Sequence, residues 1–423
     1  MNLRVRLASP LVGLLIAAGV LAATEGLFRA AAWGNVVPYE LMVELNPGLR
    51  FRNRPHLHEK LFTPPVNVTT DGAGFRARQE VQRHKPTGVR RLIAMGDSIT
   101  FGYGVDDAET YPARLEYLLN ERRRSASAVR YEVINAGVVG YSSAEGLRQL
   151  ARDLLVYRPD VLLVSYAIND PDYALRPFLY GRLRDSRTGR ARLAMVARNW
   201  LFAHSHVGRW VIDAVAWRRY RAWHHSHLDD VRAGRIRSAQ PEEYVRNLRA
   251  FVRIARTHGC QIVFFVAPVR LKWTPYPPAG FLDTKDPRHC REAASFAELA
   301  LAAGVRTPEE RSSLAYFRAR ARENLGQMER ARGAYLDAMR DEGAPENWRW
   351  LARQYSRLMR RVAEEERVPV ADLQATFEER ELTDNPSGLF IDMCHPGPVG
   401  TRLIAEEVAK VLGSAVLGGG GSR

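Results

Sequence analysis

The chain has 423 residues, 46% of them hydrophobic, and a formal net charge of +15 at neutral pH. This length and apolar content are enough to bury a large core, which excludes a disordered protein. The excess arginine is spread along the chain, and no arginine block, zinc-ligand spacing or nucleic-acid motif accompanies it, so we expect no nucleic-acid binding.

The first segment, residues 1–34, has the pattern of a targeting sequence. Arg4 and Arg6 precede an uncharged run over residues 7–24. The run is short for a membrane span, and residues 20–22 also fit a cleavage site, so an anchor and a cleaved signal peptide both stay open. Apolar residues continue past the run, which favours an uncleaved anchor. The leading positive charges then predict a single-pass protein with the bulk of the chain outside the cytoplasm.

The fold class follows from short apolar runs further along the chain. Residues 35–88 are rich in Pro, Asn and Arg without sustained periodicity, and they predict an irregular extension. Beyond them, strand-length apolar runs alternate with helical stretches, which predicts an open α/β sandwich of three layers with helices on both faces of a parallel sheet. The predicted strands are residues 92–95, 131–134, 161–166 and 262–266.

We expect this α/β core in two parts, residues 89–270 and 350–414, interrupted by helical insertions. One insertion, at about residues 175–240, is rich in tryptophan and histidine. The histidines lack acidic or cysteine partners at metal-ligand spacing, so we interpret them as helix surface. The tryptophans leave two interpretations open, packing inside the protein and contact with a membrane. The residues concerned are Trp200, Trp210, Trp217, Trp223, His204, His206, His224, His225 and His227.

The second insertion, residues 271–349, contains one sequence pattern like the second half of a tetratricopeptide repeat. A single copy cannot form a stacked array, so it predicts a helical hairpin that shapes a cleft or binds a protein partner. The pattern consists of Leu325, Gly326, Ala331, Tyr335 and Ala338. Residues 415–423 predict a flexible tail. Of the three cysteines, Cys260 and Cys290 could form a disulfide, but their spacing does not decide it.

Polar and glycine residues follow three of the predicted strands, where ligands bind in such sheets. Ser98, in Gly-Asp-Ser, follows the first strand and begins a helix, where backbone N–H groups favour a developing anion; alone, the motif would be read as a helix cap. After the next strand, Gly137 or Gly140 can present a backbone N–H, and Asn169 offers a side-chain amide after the third. These donors predict an oxyanion site.

Asp392 and His395 lie three residues apart in one loop near the end of the chain. A serine hydroxyl needs a base to become a good nucleophile, and an imidazole base needs a carboxylate to orient it. A lone Asp-x-x-His is a weak signal, with a metal pair as one alternative. The position of this pair, on a segment that returns to the sheet, completes a serine-hydrolase set.

Taken in order, these motifs resemble the four sequence blocks of the SGNH, or GDSL-type, hydrolase family. The resemblance implies a flavodoxin-like sheet and assigns roles as follows: Ser98 is the nucleophile and first oxyanion donor, Gly140 and Asn169 are the other donors, His395 is the base and Asp392 orients it. Ala167 stands where the family usually has glycine, which could weaken the donor at Asn169. The anchor and helical insertion resemble a membrane-tethered bacterial subgroup. This resemblance implies a single-pass protein of the bacterial inner membrane, with its catalytic domain on the periplasmic or extracellular side.

The expected activity is hydrolysis of acyl or acetyl esters of envelope lipids or glycans through an acyl-serine intermediate, without a metal or other cofactor. An O-acyltransferase acting on a cell-envelope polysaccharide would use the same residues, so the sequence does not separate the two. A non-catalytic binding or assembly module is a third interpretation, which the complete residue set disfavours. The expected partners are an ester-bearing substrate, the membrane through the N-terminal helix, and a protein at the helical insertion.

Overall fold

The computed structural model describes residues 3–31, 41–46, 48–121, 129–171, 189–232, 237–275, 285–305, 307–343 and 347–414. The expected tail, residues 415–423, lies outside this set, as do the side chains of Trp217, Trp223, His224 and His225. The chain forms two compact units. The N-terminal unit is Met1–Arg54 with Leu175–Leu228, and the sheet unit is Pro55–Ala174 with Asp229–Arg423.

The strands and the main helices are numbered in chain order. The strands are β1 (Val43–Asn46), β2 (Arg50–Asn53), β3 (His58–Leu61), β4 (Val66–Thr69), β5 (Val89–Gly96), β6 (Arg130–Asn135), β7 (Val161–Ser165), β8 (Gln261–Val266) and β9 (Val370–Asp372). The helices are α1 (Leu3–Ala30), α2 (Ser98–Phe101), α3 (Tyr111–Glu121), α4 (Ser143–Gln149), α5 (Gly189–His204), α6 (His206–Arg232), α7 (Pro241–Thr257), α8 (Pro287–Ala302), α9 (Pro308–Asn324), α10 (Met328–Arg340), α11 (Trp348–Glu366), α12 (Leu373–Thr383) and α13 (Pro398–Leu412).

The N-terminal unit contains α1, the hairpin of β1 and β2, and helices α5 and α6. Among the described residues, one stretch, Val12–Ala30 in α1, is long and apolar enough to cross a membrane, with a mean hydropathy of 1.6 and an exposed surface. A signal sequence has the same length and composition, so the helix is compatible with an anchor and with a leader.

Within the irregular extension expected over residues 35–88, the described chain has regular structure between residues 43 and 69. Two antiparallel hairpins lie there, β1 with β2 and β3 with β4. Each strand has four residues, and burial alternates along β1 and β2 but not along β3, where Leu61 is the one buried residue. Strands this short do not produce the sustained alternation that sequence periodicity needs.

The sheet unit is built on five parallel strands in the order β6-β5-β7-β8-β9. This is the flavodoxin-like order 2-1-3-4-5, so the predicted fold class is confirmed. The four predicted strands are present, and the fifth, β9, was missed because its three residues carry too little apolar signal. In such a sheet, the order reverses beside the first strand, here β5, whose carboxyl end leads to Ser98.

Helices cover both faces of this sheet. On one face, α3 and α13 pack together over alternate strand residues such as Leu92, Ala94 and Phe265. The intervening residues, including Ile93 and Phe264, are equally buried and point to the other face, where α4, α7 and α11 pack. Burial on both faces explains the continuous apolar runs in the sequence.

The predicted helical insertions are present. In residues 271–349, α8 packs against α9 and α9 packs against α10. Ala319 and Ala331 are fully buried at this packing, and the rings of Tyr316 and Tyr335 meet edge to face at 5.4 Å. Small side chains allow the helices to approach closely, as in other helical hairpins. Cys260 and Cys290 are both buried, and no disulfide joins them in the described chain.

Candidate active site

A tight turn from strand to helix places Ser98 at the carboxyl edge of the sheet. A Cβ atom on Gly96 would lie 2.1 Å from Thr100 Oγ1 and 2.9 Å from the Ser165 carbonyl oxygen, so only glycine fits there. The helix cap is Asp97, whose carboxylate accepts the Ile99 N–H at 2.9 Å. Because Asp97 caps the helix, the Ser98 hydroxyl is left for another contact, and the capping alternative for Ser98 does not apply.

The Ser98 hydroxyl contacts the side chain of His395. The distance from Ser98 Oγ to His395 Nε2 is 2.9 Å, and His395 Nδ1 lies 2.7 Å from Asp392 Oδ2. Residues 98 and 395 are 297 positions apart, yet their side chains form one hydrogen-bonded chain with Asp392. An imidazole held this way can take a proton from the hydroxyl while the carboxylate stabilises the resulting positive charge.

The loop before α13 holds Asp392 in place. Its Oδ1 atom accepts the backbone N–H groups of Cys394 at 2.9 Å and of His395 at 2.8 Å. Burial alone would raise the pKa of Asp392, but its hydrogen bonds and the His395 imidazole lower it to about 2. Burial lowers the pKa of His395, whereas the Cys394 and Asp392 side chains raise it, and the pKa lies above its usual value of 6.5. Asp392 is therefore ionised and acts as the acceptor for Nδ1.

Two buried backbone N–H groups lie unpaired beside this chain. In the described part of the protein, neither the Ser98 N–H nor the Gly140 N–H donates a hydrogen bond. Gly140 has a φ of 86°, a left-handed conformation that favours glycine. Gly137, the alternative donor, gives its N–H to Asn135 Oδ1 at 3.1 Å and packs against the backbone of α2. Of the two glycines, Gly140 is the one with a free donor.

Asn169, after β7, lies beside these donors. Its amide nitrogen donates to the Tyr141 carbonyl at 3.0 Å and makes a long contact of 3.4 Å with Asp97 Oδ2. The amide has two N–H groups, so one is committed to Tyr141 and the weakly held one can turn to a ligand. Ala167, which replaces the family's glycine, is buried, and these contacts are made with its methyl group in place.

Sequence reasoning gave no role to Asp170, the residue after Asn169. Asp170 Oδ1 accepts two hydrogen bonds from Ser143, one from the backbone N–H at 3.0 Å and one from the side-chain hydroxyl at 2.5 Å. Ser143 lies in the first turn of α4. The other carboxylate oxygen of Asp170 is buried without a partner among the described residues, and burial raises the pKa of Asp170 to about 7 against the opposing hydrogen bonds. Asp170 thus ties the segment carrying Asn169 to the segment carrying Gly140.

Two further residues near the site, Tyr103 and Arg76, were not predicted from the sequence. The ring of Tyr103 stacks on His395 with 4.4 Å between centroids. The guanidinium of Arg76, which is almost fully buried, pairs with Asp107 at 2.7 Å and donates to the carbonyl of Gly102, which ends α2. Both contacts join distant segments, so no local pattern could reveal them.

One group of side chains near the site has residue types that can bind a metal ion. Asp392, Cys394 and His395 each bring one potential ligand atom within 4.8 Å of the others. Burial raises the pKa of the Cys394 thiol, which disfavours the thiolate that binds metals. Asp392 and His395 also take part already in the hydrogen bonds that lead to Ser98.

Among solved structures, 51 chains resemble this one. They include an acetyl xylan esterase from Geobacillus stearothermophilus (15% identity, 78% of this chain and 97% of that one, TM-score 0.40). A second is the lipase/acylhydrolase from Enterococcus faecalis (13% identity, 76% of this chain and 95% of that one, TM-score 0.38). A third is LAE5, an alpha/beta hydrolase from the metagenome of Lake Arreo, Spain (16% identity, 79% of this chain and 98% of that one, TM-score 0.37). No curated protein matches the chain.

The family assignment comes from the sequence. Residues 94–308, just over half of the chain, match the GDSL-like lipase/acylhydrolase family. The matched region contains Ser98, Gly140 and Asn169. The remaining pair, Asp392 and His395, lies beyond the match and reaches Ser98 through the fold. The chain belongs to the GDSL-like lipase/acylhydrolase family and is a hydrolase of ester bonds.

Proposed function

We propose that Ser98 is the nucleophile of this hydrolase, with His395 as its general base and Asp392 as the residue that orients the base. The observation that carries the proposal is the hydrogen-bonded chain from Ser98 Oγ through the His395 ring to Asp392, at 2.9 and 2.7 Å. With Asp392 ionised, the proton of the neutral imidazole stays on Nδ1, and Nε2 is free to accept.

In the acylation step, Ser98 Oγ bonds to the ester carbonyl carbon as His395 Nε2 takes the hydroxyl proton. The tetrahedral intermediate collapses, the bond to the leaving oxygen breaks, and His395 returns the proton to the leaving alcohol. Water then attacks the acyl-serine with His395 as base, and releases the acid and Ser98.

The proposed oxyanion donors are the N–H groups of Ser98 and Gly140 and the side-chain amide of Asn169. The unpaired state of the two backbone N–H groups supports this, because buried donors are rarely left without an acceptor. Preorganised donors of this kind stabilise the negative charge on the carbonyl oxygen, and the loss of one typically lowers kcat by about 10²- to 10³-fold.

We further propose that α1 is an uncleaved anchor and that the substrates are acyl or acetyl esters of lipids or glycans in the bacterial envelope. The exposed apolar surface of α1 and the basic residues ahead of its apolar stretch, Arg4 and Arg6, support this placement on the outer side of the inner membrane. N-terminal sequencing of protein extracted from membranes should begin at or next to Met1. A chain that begins near Ala23 would contradict the anchor and leave the esterase proposal intact.

A fluorophosphonate probe tests the chemistry directly. We expect labelling of the wild-type protein, none of Ser98→Ala, and sharply reduced labelling of His395→Ala. Ser312→Ala is a matched control, because Ser312 is buried in α9 with no hydrogen-bond partner for its hydroxyl in the described chain. If the wild-type protein neither labels nor cleaves a nitrophenyl acetate, a non-catalytic binding module replaces this proposal.

The same residues would serve an O-acyltransferase, in which a sugar hydroxyl instead of water takes the acyl group. Product analysis with and without a polysaccharide acceptor separates the two activities. We expect free acid at the same rate in both cases. Acylated polysaccharide at the expense of free acid would assign the transferase activity.

A further inference from the structure

Helices α5 and α6 of the N-terminal unit expose a large apolar surface that ester hydrolysis does not explain. On α5, the exposed residues Leu193, Val196 and Trp200 recur at the spacing of one helix face, with 71%, 55% and 62% of their surface accessible. On α6, Trp210 and Val211 are about half exposed. Exposed apolar patches of this kind mark contact with a membrane or a partner.

The opposite side of α5 is already packed inside the N-terminal unit. Met195 and Phe202 are buried, and the Asn199 amide bonds both the N–H and the carbonyl of Leu45 in β1. The helix is therefore apolar on two opposite faces, one of which is mostly exposed in the described residues. A helix that is apolar on both sides suits burial between protein and lipid.

The end of α1 is joined to the corner between α5 and α6. The Glu25 carboxylate accepts the Ser205 hydroxyl and the N–H groups at the start of α6, at 2.8 to 3.2 Å. Arg29 donates to the carbonyl of His204, the last residue of α5. An anion at a helix N-terminus and a cation at a C-terminus are both favourable, so Glu25 and Arg29 stabilise the contact between α1 and this corner.

The corner lies near the carboxyl end of the apolar stretch Val12–Ala30, because the uncharged run ends at residue 24 and Glu25 makes the contact. The rings of Phe28 and Trp210 also meet edge to face at 5.9 Å, which makes the apolar surface continuous from α1 onto α6. The same two helices also carry exposed arginines, namely Arg190, Arg192, Arg218 and Arg219. Tryptophan and arginine are the residues that proteins place at a lipid headgroup region.

We propose that α5 and α6 lie on the bilayer that holds α1, with the apolar surface defined above among the acyl chains and the arginines at anionic lipid phosphates. The inference rests on α1 being the proposed anchor. It gives the tryptophan-rich insertion a role: it holds the N-terminal unit flat on an anionic membrane.

The test uses the full chain in vesicles of phosphatidylethanolamine and phosphatidylglycerol, with a nitroxide on one introduced cysteine. The labelled variants are Leu193→Cys, Trp200→Cys and Val211→Cys. Leu299→Cys on α8 is the matched control, because Leu299 is 72% exposed, almost the same as Leu193. Leu14→Cys reports α1 itself. The three native cysteines are buried, and the labelled wild-type protein corrects for them.

We expect labels at positions 14, 193, 200 and 211 to collide several-fold more with oxygen, which partitions into lipid, than with a water-soluble nickel chelate. The label at 299 should show the reverse. Lipid exposure at 14 with water exposure at 193, 200 and 211 overturns the inference and leaves the anchor standing. Water exposure at 14 overturns both. Shielding of the α5 and α6 labels from both reagents would mean a protein covers the surface, which also overturns it.

Discussion

The phenol ring of Tyr103 stacks on the imidazole of His395, with the two ring planes 28° apart and the centroids at 4.4 Å. The Phe62 ring meets the Tyr103 ring edge to face, with 4.7 Å between the two centroids. Tyr103 lies in the loop just after α2, so the segment that begins at Ser98 also supports the proposed base. The stack limits rotation of the imidazole, and the electron-rich ring face favours its protonated form.

Tyr103→Ala should therefore lower kcat/KM while Tyr103→Phe keeps it near the wild-type value. Aromatic pairs contribute about 0.5 to 1.5 kcal/mol, which corresponds to about 2- to 10-fold in rate. The acid limb of the pH profile should move to lower pH in Tyr103→Ala, because the imidazolium loses its ring contact. Equal losses in both variants would show that the hydroxyl, and not the stack, matters.

The pH dependence of the reaction should follow the raised pKa of His395. The base must be neutral to accept the Ser98 proton, so kcat/KM should rise with pH through a value above 6.5. Asp392→Asn removes a charge that raises this pKa. We expect its acid limb at lower pH, together with a fall in kcat of about 10⁴-fold because the asparagine does not hold the correct tautomer.

Ester hydrolysis measured across the pH range in both proteins checks this. An unchanged pH midpoint in Asp392→Asn would show that the carboxylate does not set the pKa of the base. Glu379→Gln, an exposed change on α12, is a control for altered surface charge.

Asp170→Asn should stabilise the fold at neutral and alkaline pH. Burial raises the pKa of Asp170 from 3.8 to about 7, so the folded protein binds this proton more tightly than the unfolded chain. The associated stability is present at low pH and is lost as pH rises from about 4 to 7. Asparagine does not ionise and can still accept from Ser143, so its advantage over wild type should grow by on the order of 1 kcal/mol per pH unit within that window.

Urea unfolding at several pH values gives this difference. Asp170→Ala is the companion variant, because it loses the Ser143 hydrogen bonds at every pH and should be less stable by about 1 to 3 kcal/mol at low pH. If the gap between Asp170→Asn and wild type does not change with pH, Asp170 does not titrate in this window.

Arg76→Met should destabilise the protein by about 3 to 5 kcal/mol, because it removes the buried charge partner of Asp107 and leaves the 4.0 Å contact with the exposed Arg78. It also removes the donors to the carbonyls of Gly102 and Val105, which shape the loop after α2. Arg78→Met is the matched control: Arg78 is 62% exposed and pairs with Asp106 at 3.3 Å and with Asp107 at 4.0 Å, so the change should cost under about 1 kcal/mol. Denaturant unfolding of the two variants compares them, and similar losses would contradict the role given to Arg76.

Much of the site could be predicted because its polar and glycine residues come directly after parallel strands. Ser98, Gly140 and Asn169 each come shortly after a parallel strand, and parallel strands bring their carboxyl ends to one edge. The same rule could not find β9, whose three residues are too few for a pattern, or the hairpins β1-β2 and β3-β4.

The order of motifs and the apolar runs thus determined the fold class, the residue set and the likeness to a hydrolase family from the sequence alone. Tertiary structure decided which glycine keeps a free N–H, that Asp97 and not Ser98 caps α2, and that Tyr103 lies against His395. It also showed Arg76 buried behind the loop after α2. These features depend on backbone conformation and on contacts between residues far apart in the chain, which arise only when the sheet and its connections close around the site.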